Sequence, residues 1–226
     1  MKRAASIEAL LRKASADFAD LRLAYDSSLH EKHVREDLKV AIKNIFENLR
    51  SCLDYLANDI FDTHCSSAKK PDRLYFPIRS TADEFHKAIA RDYPNLQSAS
   101  KAVFDILEAV QPYHDPWLGQ FNSLNNHNKH QDLVEQTRTE ARQVTVSRGG
   151  GSISWGPGVT FGSGVSVMGV PIDPRTQMPV PNTDAQTEVV IWIDFRFEEI
   201  GQSVLPFVQS SMHNVEKVFL GLQPHI

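Results

Sequence analysis

The chain has 226 residues, of which 41% are hydrophobic and 23% charged, and its formal net charge is -4. This composition is typical of a soluble globular protein, and it excludes a strongly basic nucleic-acid surface spread over the whole molecule. The only cysteines are Cys52 and Cys65, which excludes a disulfide scaffold and a zinc site made of cysteines alone.

Two long amphipathic helices are predicted first along the chain. Apolar residues recur at alternating spacings of four and three over residues 7–25, and again over 38–56. The second helix is predicted from residue 33 to about 62, a segment with neither glycine nor proline. Two such stripes predict an antiparallel bundle, in which Cys52 is a buried apolar position.

Shorter helices are predicted after a loop over 64–77. Thr81 and Glu84 have the spacing of a capping box at the start of the next helix, which Pro94 ends. Further helices are predicted over 98–110 and from Trp117 to about His130.

The composition changes after residue 142. Residues 143–182 carry only three charges, and 149–169 hold eight of the eleven glycines. Short strands are predicted over 144–147, 153–155, 159–161 and 165–170, with a longer strand over 188–197. The sheet is predicted to be antiparallel because no crossover helix separates these strands. Helical periodicity returns over 204–222.

The predicted fold class is α+β: a predominantly helical bundle with an antiparallel β insertion before a closing C-terminal helix. We predict one domain over 1–226, with the helical bundle portion at 1–138, the Gly/Pro-rich β insertion at 139–197 and the closing helix at 198–226. The longest strictly apolar run is Val189–Ile193, so we expect no membrane span and a cytoplasmic protein.

Familiar enzyme signatures are absent from the sequence. It contains no G-x-x-x-x-G-K-[ST] phosphate loop, no G-x-G-x-x-G, no G-x-S-x-G nucleophile elbow and no H-E-x-x-H. These absences exclude the most easily recognised enzyme classes and leave open whether the chain is an enzyme.

The first candidate site lies on the second helix. Arg50 and Asp54 are spaced i, i+4 on one flank of the apolar stripe, and Asn48 lies on the other flank. An arginine at such a margin either forms a salt bridge at the edge of the core or contacts an anion such as phosphate.

The second candidate site lies on the helix that begins at Trp117. Asn125 and Asn128 fall on its buried face, where an unpaired amide costs on the order of 1–3 kcal/mol. We therefore expect both to be hydrogen-bonded. They form either a network that ends the helix and pins the next loop, or a polar pocket in which Lys129 or His130 reaches a ligand.

Two histidine pairs have i, i+3 spacing, His30 with His33 and His127 with His130. Helical histidines at this spacing can share a metal ion, but no carboxylate completes either pair at clear spacing. We therefore predict no metal site and no cofactor.

These segments together resemble an uncharacterised bacterial protein family. Its helix reads roughly H-N-L-R-S-A-L-D-H-L-A and is followed by F-P-I, I-Q-P-Y and L-N-x-x-D-K-H-R. The corresponding segments here are 47–57 (ENLRSCLDYLA), 76–78 (FPI), 110–113 (VQPY) and 124–130 (LNNHNKH).

The R-x-x-x-x-H part of that helix is similar to the signature of HEPN domains, helical bundles that are often dimeric and of which many cleave RNA without a metal ion. The resemblance implies that Arg50 stabilises phosphate charge and that a histidine takes part in proton transfer. Tyr55 stands in the place of that histidine, and a tyrosine, with a pKa near 10, is a poor general base at neutral pH. His130 is the candidate substitute.

The helix patterns and the resemblance together give the candidate functional residues. The catalytic candidates are Arg50 and His130. The binding candidates are Asn48, Asp54, Tyr55, Asn125, Asn128 and Lys129.

Three functions stay open. The first is an RNA-directed HEPN-like module, either an active or a degenerate ribonuclease. The second is a non-catalytic interaction or structural protein, whose partner is a second copy or another protein. The third is an enzyme with a small-molecule pocket between bundle and sheet. The first requires that Arg50, Asn128 and His130 converge on one open cleft.

Overall fold

The computed structural model of the chain describes residues 1–28, 34–130 and 132–226, with only the backbone of Lys129 and His130. It confirms the α+β fold class, because helices dominate and the strands form two small three-stranded sheets. No helix in the described ranges is long and apolar enough to cross a membrane.

Six α-helices come first along the described chain, six strands follow, and a further α-helix comes after the strands. The helices are α1 (Ala4–Ser28), α2 (Glu36–His64), α3 (Ala82–Asp92), α4 (Leu96–Ala99), α5 (Lys101–Ala109), α6 (Trp117–His130) and α7 (Val204–Leu222). The strands are β1 (Gln136–Arg148), β2 (Gly151–Trp155), β3 (Ser166–Val167), β4 (Val170–Asp173), β5 (Met178–Pro179) and β6 (Gln186–Phe197).

The chain folds as two compact units. The helical unit consists of Met1–Thr137 together with Arg196–Ile226, and the β unit consists of Arg138–Phe195. We predicted one domain with an insertion over 139–197, and the β unit spans Arg138–Phe195.

The helical unit is built around α1, α2 and α7, which pack against one another. The apolar stripes of all three helices supply the buried core, and Cys52 is fully buried in it as predicted. Phe46 of α2 marks a crossing point, with its ring centroid 5.4 Å from that of Phe121, 6.1 Å from Phe197 and 6.3 Å from Phe207. These packed rings join α2 to α6, to the end of β6 and to α7.

Two helix boundaries show how capping residues divide the chain. The predicted capping box is confirmed on one side, because Thr81 Oγ1 accepts a hydrogen bond from the Glu84 N–H at 3.3 Å. The single helix predicted over 98–110 is wrong. Ser100 interrupts it, since its side chain accepts from the Val103 N–H at 3.4 Å and caps α5.

The β unit contains antiparallel pairs, as predicted. In the β1–β2 hairpin Val144 lies opposite Trp155 and Arg148 opposite Gly151. Two turn glycines, Gly149 and Gly150, have φ of 59° and 83°, which is the left-handed conformation that tight hairpins require. The strand orders are β2-β1-β6 and β3-β4-β5.

Two predicted strands of the β unit are wrong. Residues 159–161 form no strand, because the Phe161 N–H and C=O bond to the Gln177 side chain at 2.7 and 3.1 Å instead of to a neighbouring strand. The strand predicted over 165–170 is a hairpin, since Met168 and Gly169 turn the chain with φ of 55° and 76°.

Candidate functional site

An open cavity of about 510 Å³ lies on the helical unit, between α2, the segment 73–79, the end of α3 and α6. We call it the arginine cavity. Its charged and polar lining residues are Arg50, Arg73, Arg79, Arg91, Asp54, Asp92, Tyr75, Asn122 and Asn126.

Arg50 is held in place from three directions. Its Nε and Nη2 lie 3.2 Å from the two carboxylate oxygens of Asp54, which confirms the predicted i, i+4 pair. Its Nη1 donates to the Asn122 Oδ1 at 2.9 Å, and its guanidinium lies over the Tyr75 ring, 5.9 Å from the centroid. The Arg50 side chain is only 12% exposed, so it enters the cavity with its orientation already determined.

Asp54 also fixes the wall of the cavity. Its Oδ1 accepts a hydrogen bond from the Phe76 N–H at 2.9 Å, so one carboxylate connects α2 to the segment 73–79. Tyr93 supports the same segment by donating its hydroxyl to the Tyr75 carbonyl at 2.8 Å. Burial first, and the nearby Asp54 charge second, hold the pKa of Tyr93 well above its usual value, so the hydroxyl remains a donor.

Gln111 completes the support of this wall from the loop after α5. The residue is fully buried, and its Nε2 donates to the Pro77 carbonyl at 2.9 Å and to the Leu107 carbonyl at 2.8 Å. Its Oε1 accepts from the Arg79 N–H at 2.9 Å. Three of the four segments that carry the family resemblance, 47–57, 76–78 and 110–113, are therefore joined at one wall by Asp54 and Gln111.

The cavity carries more positive than negative charge. Of its four arginines, Arg50 pairs with Asp54, and Arg91 pairs with Asp92 at 2.7 Å. Arg73 and Arg79 have no carboxylate partner within the described parts of the chain. A chain of net charge -4 thus concentrates unpaired cations at one opening, and such clustering attracts anions.

The other sequence-predicted residues of α2 lie outside this lining. Tyr55 is 38% exposed and Asn48 is half-buried, and neither is among the residues that line the cavity. On α2 the cavity therefore receives Arg50 and Asp54.

The buried asparagines of α6 behave differently from each other. The Asn128 Oδ1 accepts from the Val134 N–H at 3.0 Å, which is the network that pins the loop after the helix. Asn125 is fully buried, and neither of its polar atoms has a hydrogen-bond partner in the described structure. The described residues therefore do not supply the hydrogen bonds that we expected for Asn125.

Some predicted residues fall outside what the structure describes. These are the side chains of Lys129 and His130, together with His30 and His33. His127 is described, and its Nδ1 lies 3.6 Å from the Glu199 Oε2. Among the described residues no group of three or more His, Cys, Asp or Glu side chains could hold a metal ion.

Sequence reasoning paired Arg50 with the wrong part of α6. The HEPN-like hypothesis required Arg50 to converge with Asn128 and His130, but the structure brings Arg50 to Asn122 and Asn126 instead. Reasoning from the sequence also missed Arg73, Arg79, Arg91 and Tyr75. A signal was present, because Arg73 and Arg79 lie on either side of the F-P-I element in the run RLYFPIR.

Comparison with known proteins adds no further constraint. No family model matches the chain, and neither a curated protein nor a solved structure matches it. The functional argument rests on the geometry of the arginine cavity.

Proposed function

We propose that this chain binds RNA through the arginine cavity. The observation that carries the proposal is the presence of four arginine side chains around one opening, two of them without a carboxylate partner among the described residues. Phosphate is the group that such a cluster recognises best, because the planar guanidinium donates two parallel hydrogen bonds to phosphate oxygens.

The rest of the lining fits a nucleic-acid strand better than an isolated inorganic anion. Asn122 and Asn126 add amide groups suited to sugar and base edges, and Tyr75 adds an aromatic ring. Backbone contacts to phosphate position a strand, while amides and rings contact the bases. The low overall charge is compatible with binding, since only the local cluster has to neutralise phosphates.

Binding, rather than cleavage, is the property that the described geometry supports. The described lining includes no histidine, and both of its aspartates are engaged in ion pairs with arginines. A ribonuclease of HEPN type needs a group for proton transfer near the phosphate. His130 is our only candidate for that group. Asn128 is bonded to the Val134 N–H and lies outside the cavity lining, so the convergence that the HEPN-type hypothesis requires is not met, and the proposal is RNA binding alone.

The proposal is tested by fluorescence anisotropy with a labelled RNA of mixed sequence at several salt concentrations. The cavity variant is Arg73→Ala/Arg79→Ala. The matched control is Arg22→Ala/Arg175→Ala, which removes the same charge from exposed positions outside the cavity. We expect the cavity variant to bind more weakly. Its slope of log-affinity against log-salt should fall by about 1.4, at about 0.7 for each phosphate of a single strand that the protein no longer neutralises.

Two results would overturn the proposal. One is no saturable binding by the parent protein at low salt, and the other is equal affinity of the cavity variant and its control. The same mixtures, incubated without added metal and separated on a denaturing gel, report cleavage. Cleavage that Arg50→Ala and His130→Ala both abolish, in proteins of matched thermal stability, would establish the nuclease form of the hypothesis.

A second candidate function, self-association, is favoured by β6. This strand is at the edge of its sheet, and Val190, Ile191 and Trp192 are 39%, 53% and 50% exposed. An exposed apolar edge strand is a template for pairing with another strand. A second copy of the chain supplies an identical strand that can pair in antiparallel fashion, so we propose a homodimer through β6.

A further inference from the structure

Tyr75 is a large aromatic residue of the arginine cavity that stays exposed to solvent. Its side chain is 56% exposed, although Leu74 and Phe76 on either side are only 7% and 2% exposed. A large ring left in solvent, between two residues that anchor the segment in the core, is available for contact with a ligand.

The backbone that carries this ring is fixed on both sides. The Tyr75 carbonyl accepts from the Tyr93 hydroxyl at 2.8 Å, and the next N–H, that of Phe76, donates to Asp54 at 2.9 Å. A ring presented by a fixed backbone loses little conformational entropy when a ligand contacts it. This rigidity distinguishes Tyr75 from an exposed aromatic on a loose surface loop.

The surroundings of the ring select a planar, anionic ligand. The Arg50 guanidinium lies over one face of the ring, 5.9 Å from its centroid, and with 56% of the residue exposed the ring still has area on which a planar group can stack. Arg73 and Arg79 line the same cavity and lack carboxylate partners in the described structure. A nucleotide unit combines both requirements, since its base stacks on aromatic rings and its phosphates bind arginine.

We infer that Tyr75 is a stacking platform for an unpaired RNA base, whose neighbouring phosphates contact Arg73 and Arg79. This inference rests on the proposed RNA binding and names the ligand as single-stranded. In a duplex each base is already stacked between its neighbours and paired, so its faces are not accessible to a tyrosine ring. The cavity therefore discriminates between strands by whether a base is free to leave the stack.

The inference is tested with one RNA sequence in three forms: a labelled single strand, the same strand annealed to its complement, and a free nucleoside monophosphate as competitor. The proteins are the parent, Tyr75→Phe, which keeps the ring, and Tyr75→Leu, which keeps an apolar side chain without a ring. We expect Tyr75→Leu to lose roughly tenfold or more in affinity for the single strand, with Tyr75→Phe close to the parent. The parent should bind the duplex more weakly than the single strand.

Each other outcome is decisive. Equal affinity of parent and Tyr75→Leu for the single strand, while the arginine double variant binds weakly, overturns the stacking role and leaves RNA binding intact. Preference for the duplex also overturns it. Competition by the monophosphate at concentrations comparable to those of the strand shows a nucleotide site instead of a strand site. Absence of all RNA binding by the parent refutes the proposed function itself. Thermal melts confirm folding of the Tyr75 variants.

Discussion

The Asp54 carboxylate links the arginine of α2 to the segment 73–79. Its two oxygens hold Arg50, and one of them also accepts from the Phe76 backbone. The same carboxylate therefore orients the cation on α2 and fixes the position of the segment that carries Tyr75. The stability of the fold and the proposed ligand binding therefore depend on the same residue.

Replacing Asp54 with alanine is expected to lower the free energy of unfolding by about 2–4 kcal/mol, since the variant can form the charge-assisted hydrogen bonds neither to Arg50 nor to Phe76. RNA affinity should fall in the same variant because Arg50 loses its fixed orientation. Urea denaturation and anisotropy measure the two effects. Asp20→Ala, an exposed position on α1, is the control, and an equal loss in both variants would contradict the role of Asp54.

Asn125→Leu is expected to stabilise the protein by about 1–3 kcal/mol. Its amide is fully buried without a hydrogen-bond partner among the described residues, so an apolar side chain of similar size removes a desolvation cost. Asn128→Leu is the matched comparison, and it should destabilise because the Val134 N–H loses its acceptor. Thermal and urea unfolding give both values. Destabilisation by Asn125→Leu would show that this amide has a partner in solution.

Among the elements, the helices were predictable from the periodicity within each segment, whereas the candidate site is formed by contacts between residues far apart in the sequence. The stripes of α1, α2 and α7 are periodic within each segment, so sequence alone predicted them. The Arg50–Asp54 pair was predictable for the same reason. The bond from Arg50 to Asn122 joins residues 72 positions apart, and no local pattern encodes such a partner.

The β unit shows how side-chain hydrogen bonding can override strand propensity. Residues 159–161 are rich in the types that favour strands, yet Gln177 satisfies the backbone of Phe161 from another part of the chain. Phe161 then packs edge-on against Trp155, with ring centroids 5.1 Å apart. Side-chain to backbone bonds of this kind depend on tertiary position and are not predictable from residue preferences.

Ile191→Lys on β6 is expected to abolish self-association. A lysine on an edge strand disfavours pairing with a second strand, because its charge would be buried in the interface. Sedimentation velocity at several protein concentrations is the measurement. Val159→Lys is the control, since Val159 is also exposed in the β unit but lies outside every strand. A parent protein that stays monomeric at all concentrations would refute the homodimer.

The helical unit as a whole depends on buried groups that must stay protonated. Burial raises the pKa of the Tyr25 and Tyr93 hydroxyls. Burial also raises the pKa of the Cys65 thiol, and it raises the pKa of the Cys52 thiol to about 12. In the unfolded chain these groups ionise at about pH 8.5–10. Above that range the unfolded state binds fewer protons than the folded state, so the free energy of unfolding must fall as pH rises.

These four groups should therefore leave the free energy of unfolding unchanged near neutral pH and lower it from about pH 9 upward. The measurement is urea denaturation at a series of pH values between 7 and 10.5. In Cys52→Ala the decline should be shallower than in the parent, by up to about 1.4 kcal/mol per pH unit, because one titrating group is removed. The measured quantity is the slope of the free energy of unfolding against pH. A cavity left by the smaller alanine side chain lowers that free energy equally at every pH, so it does not change the slope. Identical slopes would contradict this account.

The discontinuous helical unit imposes an order on synthesis. Helix α7 packs on α1 and α2, but the ribosome must first translate Arg138–Phe195, which takes roughly 3–12 s at about 5–20 residues per second. During that interval the nascent α1–α2 hairpin exposes the apolar surface that α7 later covers. The newly made chain is thus most vulnerable to aggregation, and most in need of a chaperone, while its β unit is being translated.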